Sequence, residues 1–151
     1  ATGLKAKRWA ARRRNPVLRS TGDKNLTYPF FPLMNGEIKN LGVVNADITG
    51  STYAGILVGY ATSGTIKACY TTGEVKATSV CTGGLVGDNA GAVISDCYSG
   101  AAVSNTADCA VGGLVGKNVG VIQNVYASGS VRDLISWQVW QVPTTAISVT
   151  P

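Results

Sequence analysis

Apolar positions along this chain return at one long interval. Ile38, Ile66, Ile94 and Ile122 stand 28 residues apart. Leu41, Cys69, Cys97 and Val125 keep that interval, and so do Gly42, Tyr70, Tyr98 and Tyr126. A later apolar column runs through Ile48, Val75, Val103 and Val131, at intervals of 27, 28 and 28. Glycine signatures travel with the columns: AGILVG at 54–59, GGLVG at 83–87 and GGLVG at 112–116. Several columns held in register over such a length define a repeat architecture.

Within each copy the apolar pieces are short and rich in Val, Ile, Tyr and Thr, with Gly, Asn, Asp and Ser between them. No copy carries a helical stripe, so short strands bounded by turn residues are the expected elements. A unit of three short strands has no means of burying its own apolar side, but stacked units shield one another. The expected fold is all-β: a parallel β-solenoid of about four 28-residue coils with atypical ends. Glycine supplies the sharp turns of a narrow coil. The column Asn40, Ala68, Asp96, Asn124 falls at a bend, where a side-chain amide can bond the backbone. Its Ala and Asp interrupt any continuous asparagine ladder.

Three segments follow: a basic arm and candidate cap at 1–34, the solenoid at 35–131, and a cap or interface strand at 132–151. A solenoid's terminal coils need covering. YPFFPLM at 28–34, apolar and broken by proline, is a candidate to lie across the first coil. LISWQVWQV at 134–142 alternates as a strand does. Its Trp137, Val139, Trp140 and Val142 are candidates for an assembly interface, with a plain cap as the alternative. Trp137 lies 28 residues after Cys109, which also allows a degenerate fifth coil. Residues 143–151 read as a strand or a linker.

Composition adds one domain's worth of core: 151 residues, 45% of them apolar and 14% charged. No run approaches the ~18 apolar residues of a membrane span. The basic start leads into no apolar segment, so no signal peptide is visible, as in a mature secreted chain. Charge is uneven. Residues 1–24 carry eight Lys/Arg against Asp23, while the remainder carries five bases and seven acids. The net charge of +5 therefore belongs to an arm that is either simply solvated or a contact for an acidic partner.

GGLVG, ISDCYSGAAV (94–103) and IKNLGVVNADITG (38–50) resemble the GLUG-motif repeats of large bacterial surface proteins, among them adhesin-like proteins and non-catalytic regions of IgA-specific metallopeptidases. The resemblance covers residues 35–131. It implies a right-handed β-helix, an extracellular or cell-surface setting, and no enzyme activity of its own.

Cys69–Cys97 and Cys81–Cys109 are each 28 apart. Stacked strands lie ~4.8 Å apart, which allows an inter-coil disulfide in each pair. A column of small buried apolar residues fits equally well. Zinc fits poorly, since there is no CxxC spacing and no histidine. The lack of histidine also excludes His-based triads and bases. The acids are Asp23, Glu37, Asp47, Glu74, Asp88, Asp96, Asp108 and Asp133, and no two recur at one repeat spacing. Isolated solvated carboxylates are expected rather than a catalytic pair. GGLVG lacks the lysine of a phosphate loop. Lys39 and Lys67 stack into a weak basic stripe.

The function expected is a non-enzymatic structural or adhesive solenoid of a bacterial surface or secreted protein, with no cofactor. Its partners are then a larger surface assembly and a host or glycan ligand. The alternative is a self-assembling filament subunit joined through its ends. A polysaccharide-active enzyme ranks third.

Overall fold

The computed structural model describes residues 5–10, 17–19, 29–50, 52–78, 81–107 and 110–133. All regular structure there is strand. In chain order these are β1 (Lys5–Ala10), β2 (Val17–Arg19), β3 (Phe31–Lys39), β4 (Gly42–Gly50), β5 (Val58–Ala61), β6 (Thr65–Lys67), β7 (Tyr70–Ala77) and β8 (Thr82–Gly83). They continue as β9 (Val86–Asn89), β10 (Val93–Ser99), β11 (Ala102–Asn105), β12 (Val111–Gly112), β13 (Val115–Asn118), β14 (Val121–Ala127) and β15 (Val131–Asp133).

Every pairing is parallel and links one rung to the next. Phe31, Val58, Val86 and Val115 form one cross-rung column. Ile38, Ile66, Ile94 and Ile122 form a second. Ile48, Val75, Val103 and Val131 form a third. A short fourth ladder joins β8 to β12. The expected β-solenoid is present, with about three turns rather than four, because four isoleucine rungs enclose three intervals.

Side chains from the ladders meet in one core. Met34, Ile38, Leu41, Ile48, Leu57, Ile66, Leu85 and Ile94 are all fully buried. Full burial of such a side chain contributes about 1.5–3 kcal/mol. A single rung lacks the area for this, so the stack folds as a unit.

The 27-residue interval in the third column has a local cause. Between Val43 and Ala46 the register shifts by one residue, and Asn45 takes a positive φ of 57°. Its N–H donates to Thr72 Oγ1 at 3.1 Å. Asn45 is the extra residue of a bulge.

Two boundaries differ from expectation. Pro29–Met34 does not lie across an open end. Leu33 and Met34 pair with β5 on one side and β1 on the other, and Pro29, Phe31 and Met34 are buried. The segment is part of a rung, because its apolar residues match the inward columns beneath Val58 and Ala61. The basic arm also contributes strands: Lys5 lies opposite Leu33, Trp9 opposite Ile38, and Val17 opposite Gly42.

The corner column is tightly uniform. Asn40, Ala68, Asp96 and Asn124 have φ of 54°, 55°, 54° and 54°. Each residue turns the chain from the isoleucine column to the next in a left-handed conformation. Asn and Asp tolerate this, and alanine does so at a cost of about 1–2 kcal/mol. Ala68→Asn should therefore stabilise the protein by about 1 kcal/mol, seen as a Tm rise of about 2–4 °C. An unchanged or lowered Tm would contradict the strain assigned to Ala68.

Candidate functional site

Inward polar residues serve the turns. Asn89 is fully buried. Its Oδ1 accepts from Ala92 N–H at 2.8 Å, and its Nδ2 donates to Ala92 O at 3.0 Å and to Asn118 Oδ1 at 2.7 Å. Asn118 Nδ2 in turn donates to Gly120 O at 3.1 Å. Thr71 Oγ1 donates to Gly84 O at 3.0 Å and lies 3.2 Å from Ser99 Oγ. Asn105 Nδ2 donates to Thr82 Oγ1 at 3.0 Å. These groups hold loops against the stack, and none is left open for chemistry. The asparagine ladder thus sits at 89 and 118, not in the 40–124 column. The signal was the shared N-x-G of Asn89-Ala90-Gly91 and Asn118-Val119-Gly120.

Cys69 and Cys97 are cross-rung neighbours, 1% and 2% exposed. They are thiols in this structure, not a bridge. Cys97 Sγ points to Ser95 O at 3.0 Å, and Cys69 Sγ to Lys67 O at 3.3 Å. The Cys97 thiol is pushed well up, first by its hydrogen bond with Cys69 and then by burial. The folded chain therefore keeps a proton that the unfolded chain releases above the ordinary thiol value of 9.0. Its partner Cys69 shifts the other way, downward, with the same Cys97 hydrogen bond as the first cause. The Cys97 contribution is therefore read above 9.0, where stability should fall as pH rises, by at most about 1.4 kcal/mol per unit. Thermal melts across this range should show the decline, and Cys97→Val should flatten it. A decline of equal slope in the variant would remove Cys97 as its source. Cys81 is buried, while Cys109 lies outside the described residues. So do Trp137, Val139, Trp140 and Val142.

The outward columns carry the surface chemistry. Tyr70, Tyr98 and Tyr126 stack ring on ring, with centroids 5.1 and 5.0 Å apart and planes within 8° and 5°. A Cβ on Gly42 would fall 2.2 Å from Tyr70 Cζ, so glycine there makes room for the ring. The rings face one another and present edges and hydroxyls outward. Burial, then Tyr126, then Tyr70 raise the Tyr98 phenol above its usual 10.0.

Tyr60, Asp88 and Lys117 do share a column, as the spacing implied. Asp88 Oδ2 is 4.0 Å from Lys117 Nζ, at the limit of an ion pair. Lys39 pairs with Glu37 beside it, which weakens the basic stripe with Lys67.

One acid pair departs from expectation. Asp47 and Glu74 are cross-rung partners. Their interval of 27 hid this, because the Asn45 bulge shifts the register ahead of Asp47. Glu74 Oε2 pairs with Lys76 Nζ at 3.3 Å. Above them, Glu74, Ala102, Val103, Ser104, Ser130 and Arg132 line a shallow depression of about 180 Å³. It exists because the third rung offers only Ala102 and Ser104 between the longer side chains of its neighbours. Among the described residues no group of three or more Cys, Asp or Glu gathers as metal ligands would.

Parallel rungs, an apolar interior and a recurring left-handed corner define a β-helix of short coils. Residues 107–132 match the family model described as the GLUG motif. The chain carries this motif in its last described rung, on the spacing its other rungs share. A crystal structure from Bacteroides ovatus, described provisionally as an immunoglobulin A1 protease, is similar to it at 32% identity and a TM-score of 0.64. The similarity covers 80% of this chain and 41% of that one, so this chain spans less than half its length. No curated protein matches. Motif and neighbour together indicate a β-helix that carries the GLUG motif. No helix among the described residues is long and apolar enough to cross a membrane.

Proposed function

We propose that this chain is a non-enzymatic adhesive or structural module of a bacterial surface or secreted protein. The observation that carries the reading is the division of labour between the faces. Inward polar groups bond backbone, and outward columns form a regular surface of stacked tyrosines and isolated ion pairs. Such a surface suits contact over an area. The similarity to part of a larger protein fits a module that acts beside other domains.

The purified chain on a glycan array should be retained by a subset of glycans without releasing reducing ends. Retention by none would remove the adhesive reading, and turnover of any polysaccharide would remove the non-enzyme one.

A second reading is end-to-end assembly. The last described rung leaves Val119, Val121 and Tyr126 at 68%, 53% and 50% exposure. In a filament another copy covers that edge. Negative-stain images should then show filaments that Val121→Lys disperses. A monodisperse small particle at high concentration would exclude this reading.

A further inference from the structure

We infer that the depression between the second and fourth rungs binds one acidic sugar unit, a hexuronate-type ring, and so is a contact point for acidic glycans. The inference rests on the adhesive reading and names its ligand class.

Charge decides the sign of the ligand. At the lower edge Glu74 is already neutralised by Lys76 at 3.3 Å. At the upper edge Arg132 is exposed and forms no ion pair with a described residue. Among the described residues the upper edge thus presents a guanidinium without an ion pair, while Asp47, the cross-rung partner of Glu74, keeps the lower edge acidic, so a ligand's carboxylate belongs at the Arg132 end. Arginine holds a carboxylate through two parallel N–H···O bonds, a geometry that a lone ammonium does not reproduce.

The other lining groups decide the ligand's body. Ser104 and Ser130 offer hydroxyls that both donate and accept. The Glu74 carboxylate, with its charge balanced, remains an acceptor for hydroxyls. The floor is the Ala102 methyl and the strand backbone at Val103, whose own side chain is turned into the core, and that methyl offers a small apolar contact for the C–H face of a ring. Glu74 and Arg132 stand two rungs apart and in columns two residues apart along the strands, so their backbones are about 12 Å apart on the diagonal and their long side chains reach in from opposite corners. A pyranose with a hydrogen bond at each edge bridges such a gap. A volume of about 180 Å³ matches one ring, and because the depression is open the rest of a glycan can extend beyond it. An aliphatic carboxylate satisfies Arg132 alone, and a neutral sugar satisfies everything except Arg132.

The test uses the full chain and three probes: glucuronate, glucose and acetate, each titrated by NMR shift changes. Glucuronate should bind at about millimolar Kd, as expected of a ligand this small in an open site. Glucose and acetate should each bind at least tenfold more weakly. Arg132→Gln should weaken glucuronate at least tenfold with an unchanged Tm, and Ala102→Phe, which fills the depression, should abolish its shifts. Equal binding of acetate, equal binding of glucose, or undiminished binding in both variants would each overturn the inference. Failure of the adhesive reading is distinct: it is loss of every glycan on the array, neutral ones included, whatever glucuronate does in solution.

Discussion

Ile94→Ala should cost about 3–4 kcal/mol of folding stability, within the 2–5 kcal/mol typical of emptied core sites. Ile94 is fully buried, with Ile66 in the rung below and Ile122 above. The space it leaves cannot collapse easily. Backbone ladders on both sides fix the rung separation near 4.8 Å, so neighbouring rungs cannot settle into the void. Urea unfolding should show a lower midpoint with the slope preserved. Ile122→Ala is the internal comparison. Ile122 is only half-buried and has no rung above it among the described residues, so its loss should cost about 1 kcal/mol at one-sided burial. If the two variants were equally destabilised, the isoleucines would not form a single interior pile.

That pile was legible in the sequence because a parallel stack converts distance along the chain into position in space. Residues 28 apart became neighbours at Ile38, Ile66, Ile94 and Ile122, and again at Tyr70, Tyr98 and Tyr126. The corner column was also visible, although its left-handed backbone was not, since an alanine sits in it. Legibility failed wherever one residue is added. The Asn45 bulge moved Asp47 out of the nominal frame and concealed its pairing with Glu74. It failed at the first rung for another reason. Proline and aromatic residues at 28–34 resemble a cap in composition, yet Phe31 and Met34 fill inward columns that only the three-dimensional register defines.

The surface was harder to read than the core. Burial constrains residue type strongly, so inward columns repeat in kind; an outward position tolerates almost any residue. The depression at Ala102 and Ser104 is a difference in side-chain length between adjacent rungs, and spacing alone does not encode it. Arg132 lies in the segment assigned to the tail, yet it continues the column of Lys76 and Ser104. Extending the 28-residue frame one strand further would have found it.

Gly83→Ala should be as damaging as the loss of an isoleucine, at about 3 kcal/mol or more, the upper range for forcing atoms into packed space. The reason is proximity of backbone. A Cβ on Gly83 would lie 2.1 Å from Val86 O, 2.7 Å from Gly116 N and 2.7 Å from Leu114 O. None of these is the end of a flexible side chain. Relieving the clash means opening the GGLVG loop or lifting the rung above, and either change breaks ladder hydrogen bonds such as Leu85 N–H to Leu114 O at 2.8 Å. Gly100→Ala is the matched control. Its nearest neighbours would be Thr72 Cγ2 at 3.6 Å and Ser128 Oγ at 3.7 Å, ordinary contact distances. That variant should melt within a degree or two of the parent, and helical or strand propensity of alanine cannot explain a difference between two sites given the same substitution. Equal melting of both variants would mean that the first glycine of the motif is not where the rungs close on one another. A large gap between them would assign the motif's glycines to spacing of the stack, which leaves the variable residues around them free to shape its outer face.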